Sequence, residues 1–199
     1  GMGAKRGILI RKGEAIQTMK EIKIVVFDKT GTITKGKPEV KAIKSSKKVS
    51  EKYFMEIAAS MERLSEHSIA KSIVEKANLR KYKEVKNFRV LRGKGIEGTI
   101  GRKKIMIGNS KLMIENKISL SEFGNFLEKF ESSGFTTMIV SENKEAIGII
   151  GVADAVKSDS AEAISLLNNE GYKTVMITGD NERTARAIAK EVGISEVIA

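Results

Sequence analysis

Apolar residues recur along this chain with two different periods, and the changes between the periods predict its organisation. A repeat of three to four residues predicts helices that begin after Ser50 and His67, near Ser119, at Ser158 and at Asn181. Apolar runs and a repeat of two predict strands at residues 22–27, 85–91, 96–100, 104–107, 136–141, 146–152 and 173–177. Strands and helices are therefore predicted to alternate near both termini, and several strands follow one another in the middle of the chain.

This order predicts an α/β fold in which a parallel-sheet domain is split by an inserted α+β domain. We place the first part of the parallel-sheet domain at residues 1–36, the insertion at 37–149 and the second part at 150–199. The strand at 22–27 is predicted to be buried. Residues 34–37 precede the sole proline, Pro38, and are predicted to form a linker between the two domains.

The composition allows a packed core and excludes several kinds of chemistry. Of the 199 residues, 41% are hydrophobic. With no cysteine and one histidine, the chain cannot build a disulfide, a thiolate nucleophile or a soft-metal site with three or four ligands. No apolar run reaches the roughly 20 residues of a membrane helix, and no signal peptide is recognisable. We therefore expect a soluble, cytoplasmic region.

Positive charge is concentrated near the N-terminus. The net charge is +11, and residues 1–53 hold 14 lysines and arginines against 5 acidic residues, so +9 lies there. Nucleic-acid binding usually adds aromatic stacking residues, but Phe27 is the one aromatic residue before Tyr53. Nucleic acid is therefore not an expected partner. A segment near anionic lipid and a field that attracts phosphate remain as interpretations.

Asp28 carries the strongest chemical signal in the chain. It follows the apolar residues 25–27, where a strand of an α/β sheet delivers side chains to the ligand-binding edge. A carboxylate there can attack phosphorus and hold the phosphoryl group as an acyl phosphate. Thr30 and Thr32 supply hydroxyls, and Gly31 lets backbone N–H groups approach a phosphate. An ordinary strand-to-loop junction predicts no such order of residue types.

Two later segments could complete such a site. Thr178 follows the predicted 173–177 strand as a second phosphate donor, and Gly179 and Asp180 lead into a helix whose N-terminus favours an anion. A plain helix cap explains the same tripeptide. Asp154 opens an Asp-Ala-Val-Lys segment, which is the second candidate for this site. The alternative is that its Asp and Lys form a surface ion pair before a helix.

The Asp-Lys-Thr-Gly-Thr segment at residues 28–32 resembles the phosphorylation loop of the P-type cation-transporting ATPases. Further motifs follow the order of that family's heavy-metal, copper-type branch: residues 7–13, Ser65-Glu66-His67, Gly93-Lys94-Gly95, Gly108-Asn109 and Thr178-Gly179-Asp180. Several short motifs in order are more specific than any one of them. The resemblance covers nearly the whole chain and implies a haloacid-dehalogenase-like domain, split by an inserted nucleotide-binding domain.

The resemblance implies a role for each matching residue. Asp28 would be transiently phosphorylated, with Lys29, Thr30 and Thr178 as further catalytic residues, and Asp28 and Thr30 would contribute to a Mg²⁺ site. ATP would be bound by Thr32, Glu62, His67, Gly93, Gly95, Asn109, Asp154, Gly179 and Asp180. Ser68 departs from the pattern because the family usually has proline there, which leaves the rigidity of the adenine-binding loop open.

Three of these positions have a second interpretation. The sole histidine, His67, could stack on a purine or cap the helix that follows it. Residues 93–98 also spell G-x-G-x-x-G, but a dinucleotide fingerprint must open a helix, and strands are predicted here. Asn109 could close the nucleotide pocket or form a turn before a helix.

Thr30 separates two classes of enzyme. Many soluble phosphatases with a similar loop have a second aspartate at this position, which activates water. Threonine cannot act as a general base near neutral pH. We therefore expect ATP-driven cation transport, in which phosphorylated Asp28 persists long enough to drive a conformational cycle. The alternatives are a soluble aspartate-nucleophile phosphatase and a nucleotide-binding module without catalysis.

The resemblance also implies a larger parent protein in the cell membrane, whose membrane and actuator domains are partners of this region. The transported cation would be bound by membrane helices outside the chain, and copper is favoured over silver, zinc and cadmium. The family's phosphate-neutralising lysine and Gly-Asp-Gly loop are expected beyond residue 199. We therefore expect the chain alone to bind ATP and to autophosphorylate poorly.

Overall fold

The structure, a computed structural model, describes Gly13, Thr18 and residues 20–199, so residues 7–12 of the N-terminal motif lie outside the described residues. In chain order the elements are β1 (Ile24–Asp28), a wide turn (Lys29–Ile33), β2 (Thr34–Ser45), α1 (Glu51–Glu62), α2 (Ser68–Ala77), β3 (Val85–Leu91), β4 (Gly95–Ile100), β5 (Lys103–Gly108), α3 (Ser110–Glu115), a 3₁₀ turn (Ser121–Phe123), α4 (Gly124–Ser132), β6 (Thr136–Glu142), β7 (Glu145–Val156), α5 (Ser160–Asn169), β8 (Lys173–Ile177), α6 (Glu182–Val192) and β9 (Glu196–Ile198). None of the helices in the described part combines the length and hydrophobicity that a membrane crossing requires.

Six strands form an antiparallel sheet in the order β2-β7-β6-β5-β4-β3. Helices α1 and α2 cover one face, where Phe54, Ile57 and Ile73 belong to a core that is closed to solvent. Helices α3 and α4 cover the other face, where Leu112 and Leu127 belong to a second core. Because alternate residues of a strand point to opposite faces, the same strands supply both cores.

Local sequence signals predicted much of this six-stranded unit. Helix α1 begins after Ser50, whose hydroxyl accepts a hydrogen bond from the Tyr53 N–H at 3.2 Å. Strands β6 and β7 meet at Asn143 and Lys144, which both have positive φ, as a two-residue hairpin turn requires. The predicted strands at 85–91, 96–100, 104–107 and 136–141 are confirmed to within one residue at either end.

The sequence Ser119-Leu120-Ser121-Glu122, where a helix is predicted to begin, has the pattern of a capping box, but that box does not form. Helix α4 begins at Gly124 without a side-chain cap. The Glu122 carboxylate accepts a hydrogen bond from the Lys47 N–H at 2.9 Å instead, so it fastens the loop after β2. A contact between distant residues has replaced the local one.

The other sheet has three parallel strands in the order β1-β8-β9. One face is covered, since Met176 is fully buried in a core with Ile164 of α5 and Ile188 of α6. On the opposite face Ile24 and Val26 are 52% and 55% exposed. The prediction of a buried strand at 22–27 is therefore wrong: β1 is an edge strand, and the described helices cover one of its sides.

Strands β2 and β7 run between the two sheets. Each has 12 residues, and they pair in antiparallel fashion from Thr34 opposite Val156 to Ser45 opposite Gly148. Residues 34–37 therefore connect the two sheets, as the predicted linker would, but they do so as the start of a strand. The register shifts between Thr34 and Pro38, which marks a bulge. Because β2 lies at the edge of its sheet, the proline is tolerated and the strand signal in the sequence is weak.

Candidate functional site

Asp28 is the last residue of β1 and is exposed to solvent. Strand β1 pairs in parallel with β8, and Asp28 lies opposite Ile177. Parallel strands end at the same edge of a sheet, so the residues after Ile177 lie beside those after Asp28. The structure therefore brings the predicted nucleophile next to the predicted phosphate-binding loop at 178–180.

Lys29 and Asp180 connect these two loops. The Lys29 ammonium pairs with Asp180 Oδ2, and the two side chains are 10% and 11% exposed. The other carboxylate oxygen, Asp180 Oδ1, accepts a hydrogen bond from Thr136 Oγ1 at 2.8 Å. Sequence analysis identified Lys29 and Asp180 but not their contact. It missed Thr136, which lies 44 residues from Asp180 and carries no local signal.

The loop at 178–180 is braced from within. The Asp180 N–H donates to Thr178 Oγ1 at 3.2 Å, and the Thr178 N–H donates to the Ile198 carbonyl of β9 at 2.9 Å. The following helix, α6, is capped by Asn181, which accepts from the Thr184 N–H at 3.0 Å. Residues 178–180 are therefore not the cap of α6, and Gly179 is exposed.

The turn at Lys29–Ile33 is interrupted at Thr30 and Gly31, where the backbone leaves helical values. Gly31 has a φ of 77°, a conformation that glycine adopts without a steric cost. Thr30 and Thr32 are exposed beside Asp28. Hydroxyls at both positions are therefore accessible to a ligand that reaches the end of β1.

Three side chains hold this turn in place. Thr34 Oγ1 accepts from the Gly31 N–H at 3.2 Å, and the Lys157 ammonium donates to the Gly31 carbonyl at 2.9 Å. Ser160 Oγ donates to the Ile33 carbonyl at 2.8 Å. The end of β7 and the start of α5 therefore fix the loop that carries Asp28.

Asp154 is engaged at the bulge in β2. Its Oδ2 atom accepts from the Gly36 N–H at 3.0 Å and lies 2.5 Å from Thr34 Oγ1, and its Oδ1 atom accepts from the Lys37 N–H at 3.0 Å. Both carboxylate oxygens therefore have protein partners. The predicted contact between Asp154 and ATP stays a prediction.

Glu62 is the last residue of α1 and is 3% exposed. Burial raises the pKa of its carboxyl group to about 7. Its Oε1 atom is buried without a hydrogen-bond partner among the described residues. A buried oxygen that lacks a partner is costly, and native proteins usually provide one. This atom is therefore a candidate acceptor for a ligand's N–H group.

His67 caps α2. Its Nδ1 atom accepts a hydrogen bond from the Ile69 N–H at 3.3 Å, and the residue is exposed. The capping alternative from the sequence is therefore realised. It does not exclude ligand binding, because a neutral imidazole that accepts at Nδ1 keeps its Nε2–H and its ring face free.

Gly93, Gly95 and Asn109 lie together where β4 and β5 meet. The Asn109 side chain caps α3 by accepting from the Leu112 N–H at 3.0 Å, and its Nδ2 group donates to the Gly93 carbonyl at 3.0 Å. A Cβ atom at Gly95 would lie 2.0 Å from the Ile107 carbonyl oxygen. Gly95 is therefore required by strand packing, whatever it contributes to a ligand. No hydrogen bond in the described part links these three residues to Glu62 or His67.

A family profile for haloacid dehalogenase-like hydrolases matches residues 22–199. The chain belongs to the haloacid dehalogenase-like hydrolases. Among curated proteins, it is 41% identical over 201 residues to a copper-exporting P-type ATPase of Staphylococcus haemolyticus (strain JCSC1435), a match that covers 100% of the chain and 25% of that protein. It is 39% identical over 219 residues to the copper-transporting ATPase RAN1 of Arabidopsis thaliana, with coverage of 99% and 22%.

Solved structures agree with these sequence matches. The catalytic domain of the CPx-ATPase CopB-B, solved in a study of nucleotide binding, superposes with a TM-score of 0.71 at 28% identity, over 98% of this chain and 68% of that one. A zinc-transporting PIB-type ATPase in the E2.Pi state gives 0.66 at 36% identity, over 98% and 32%. The predicted resemblance and the predicted fold class are both confirmed. The chain spans about a quarter of the length of its curated relatives.

Two cavities of this hydrolase-family chain lie beside β4, and the first is lined by Arg92 and Lys94, the residues on either side of Gly93. They measure about 380 and 480 Å³, both border Glu97 of β4, and neither is lined by Glu62 or His67. The Lys104 ammonium, which hydrogen-bonds Glu97, and the nearby Arg89 hold the pKa of that carboxyl below its usual range. Both carboxylate oxygens of Glu97 therefore have cationic partners, whereas the Oε1 atom of Glu62 has no hydrogen-bond partner among the described residues.

Proposed function

We propose that this chain is the ATP-binding and phosphoryl-accepting region of a heavy-metal-transporting P-type ATPase in the cell membrane, with copper as the favoured cation. In this proposal residues 1–36 and 150–199 form the phosphoryl-accepting domain and residues 37–149 form the nucleotide-binding domain. Strands β2 and β7 of the six-stranded sheet cross both of these boundaries and join the two domains. The names of the two curated relatives support copper as the cation. Membrane and actuator domains of the same parent protein are the proposed partners.

The register between β1 and β8 is the observation that carries this proposal. It brings Asp28 and residues 178–180 to one sheet edge, and the Lys29–Asp180 ion pair joins their loops. A strand-end aspartate that is exposed and flanked by accessible hydroxyls is suited to nucleophilic attack on a phosphoryl group. The carboxyl ends of neighbouring parallel strands are where open α/β sheets hold their ligands, so two polar motifs at this edge favour a shared ligand.

The reaction follows from these positions. A carboxylate oxygen of Asp28 attacks the γ-phosphorus of ATP, the bond from that phosphorus to the β,γ-bridging oxygen breaks, and ADP leaves with the electron pair. The hydroxyls of Thr30, Thr32 and Thr178 are donors for the phosphoryl oxygens. Thr30 cannot activate water near neutral pH, so the acyl phosphate on Asp28 persists.

The nucleotide would be held by the six-stranded unit. The Glu62 carboxylate supplies an acceptor for the adenine amino group, which would satisfy its unpaired Oε1 atom. His67 offers its ring face and its Nε2–H group. Gly93, Gly95 and Asn109 would form the wall of the pocket near the ribose.

Magnesium fits the phosphoryl-accepting end. No cluster of three or more acidic or histidine side chains capable of holding a metal occurs among the described residues. Mg²⁺ does not need one, because it is commonly held by one or two carboxylates together with substrate phosphates and water. Asp28 and Thr30 would hold it, and the ion would supply charge neutralisation of the phosphate oxygens.

Titration calorimetry with ATP tests the nucleotide part of the proposal. We expect Glu62→Gln and His67→Ala to weaken binding by about tenfold each, since each loses a polar or stacking contact. Glu75→Gln, which alters an exposed acid on α2, is the matched control and should bind as the unaltered chain does. Unchanged affinity in both variants would remove these residues from the site.

Labelling with γ-³²P ATP tests the phosphoryl part in the full-length transporter. We expect a hydroxylamine-sensitive label on Asp28 that Asp28→Asn abolishes, because an acyl phosphate reacts with hydroxylamine. ATP binding without any label would favour a nucleotide-binding module. Hydrolysis of small phosphate esters without ATP dependence would favour a phosphatase.

A further inference from the structure

Three side chains from distant parts of the chain meet at Asp180. Lys29 comes from the loop after β1, Asp180 from the loop after β8, and Thr136 from the first residue of β6 in the six-stranded unit. Asp180 Oδ2 accepts from the Lys29 ammonium and from the Thr178 hydroxyl at 3.4 Å, and Asp180 Oδ1 accepts from the Thr136 hydroxyl at 2.8 Å. The contact therefore spans the boundary between the two sheets.

The segment around Thr136 makes further contacts with α6, so the hydrogen bond to Asp180 is part of a larger packed interface. Thr184 Oγ1, fully buried on α6, donates to the Phe135 carbonyl at 2.8 Å. A Cβ atom at Gly134 would lie 2.9 Å from Ile188 Cδ1, so the chain passes close against α6. Helix α4 and α6 are also in contact through Arg183 and Glu131, 3.5 Å apart. The turn between α4 and β6 therefore packs against α6.

The Asp180 side chain is largely buried, so each of its hydrogen-bond partners matters for the position of its carboxylate. The side chains of Asp180 and Lys29 are nearly closed to water, so an oxygen that loses its protein partner has little solvent to replace it. Lys29 is the residue directly after Asp28. A change in how Asp180 holds the ammonium therefore reaches the nucleophile through one peptide unit.

We propose that Thr136 is a positioning residue for phosphoryl transfer: its hydroxyl fixes the Asp180 carboxylate, and with it Lys29 and the Asp28 loop, when the nucleotide-holding unit sits against α6. The expected effect on phosphoryl transfer rests on the proposed function. The expected effect on the position of Asp180 rests only on the hydrogen bond from Thr136. Thr136 touches neither Asp28 nor a substrate atom in this scheme. It acts through Asp180.

The experiment compares Thr136→Val, Thr136→Ser and Thr137→Val. Valine keeps the shape of threonine and removes the hydroxyl, and serine restores it. Thr137 is the matched control, since by strand alternation it faces the other side of the sheet and, among the described residues, its hydroxyl donates a hydrogen bond only to Glu131 Oε1, at 3.4 Å. Arg183 of α6 contacts the other oxygen, Glu131 Oε2, so Thr137→Val leaves that contact in place. None of these variants alters the nucleophile or the predicted adenine contacts.

The first measurement needs no turnover. Residual dipolar couplings on this chain report the orientation of the six-stranded sheet relative to the three-stranded sheet. We expect Thr136→Val to change or broaden that orientation and to speed amide exchange at 178–181, with Thr136→Ser and Thr137→Val close to the unaltered chain. An orientation and exchange rate in Thr136→Val that match Thr137→Val would overturn the proposal.

The second measurement is the rate of Asp28 phosphorylation in the full-length protein at saturating ATP. We expect Thr136→Val to slow it by about ten- to a hundredfold with ATP affinity unchanged, the size expected for one hydrogen bond to a buried charge. Thr136→Ser should recover most of the rate. In an Asp180→Asn background the further effect of Thr136→Val should shrink, because both act through one group. Equal, additive losses in both backgrounds would refute the relay through Asp180.

The two measurements separate the possible failures. If the orientation depends on Thr136 but the unaltered protein is never phosphorylated, the contact stands and the proposed function fails. If phosphorylation occurs and Thr136→Val leaves both rate and orientation unchanged, the proposed function stands and Thr136 is not a positioning residue.

Discussion

The two sheets of this molecule differ in how they are covered. The six-stranded sheet carries a core on each face, with Phe54 and Ile73 on one side and Leu127 on the other. The three-stranded sheet has one core around Met176, and its other face exposes Val26. The proposed nucleotide contacts therefore belong to the better-covered unit, whereas Asp28 belongs to the less-covered one. The six-stranded unit therefore has the larger buried core, and the three-stranded unit carries the proposed nucleophile.

Removing a large side chain from the better-covered sheet should have the largest effect. Phe54→Ala empties a fully buried position, and we expect it to lower the free energy of unfolding by about 3–5 kcal/mol. Phe126→Ala is the matched control, because Phe126 is 36% exposed, and it should cost below about 1.5 kcal/mol. Urea denaturation followed by circular dichroism measures both. Equal losses would contradict the contrast in coverage.

The pH dependence of Glu62 should produce the next largest effect. Its pKa rises from 4.5 to about 7 in the folded chain, so the folded state favours the protonated form. The corresponding stability is present below pH 4.5 and is lost as the pH rises through 7, a change of up to about 3 kcal/mol. Glu62→Gln removes this dependence.

The measurement is the difference in unfolding free energy between the unaltered chain and Glu62→Gln from pH 5 to 8, without nucleotide. We expect the unaltered chain to lose stability relative to the variant as the pH rises. A difference that stays constant over this range would show that Glu62 ionises normally. ATP should reduce the loss, because a bound amino group gives the ionised carboxylate a partner.

The edge strand β1 of the three-stranded sheet should give the smallest effect. Val26 and Val175 lie opposite each other in the β1–β8 register, but Val26 is 55% exposed and Val175 is 4% exposed. Val26→Thr should change the unfolding free energy by less than about 0.5 kcal/mol. Val175→Thr should cost about 1–3 kcal/mol because it buries a hydroxyl. Thermal denaturation compares them, and similar costs would mean that Val26 is also covered in solution.

The sequence predicted those elements whose signal is local. Phe54 and Ile57 recur at helical spacing and fall on the buried side of α1, and Asn143 marks the hairpin turn. Two differences from the prediction have one physical cause. The run at 22–27 was expected to be buried because most of its residues are apolar, and the strand at residues 34–37 was missed because they form a polar, glycine-containing cluster before Pro38. Both depend on which other elements cover a strand, which spacing along the chain does not encode.

Residues of the candidate site with a local sequence signal could likewise be predicted, whereas contacts between distant residues could not. Asp28 and Thr178 could be found because each follows an apolar strand with an unusual order of polar residues. The support of the Asp28 loop by Lys157 and Ser160, and the contact between Thr136 and Asp180, join residues more than 40 positions apart. No short motif specifies such pairs, so they required the fold.

Strands β2 and β7 have a mechanical consequence. Within the described residues the chain passes between the two sheets twice, at Thr34 and at Val156, and these residues lie opposite each other in one ladder. Two crossings side by side tie the sheets together along one line, at the bulge that the Asp154 carboxylate fastens. A relative movement of the two sheets would have to pivot about this line, because pulling them apart would break the pairing of β2 with β7.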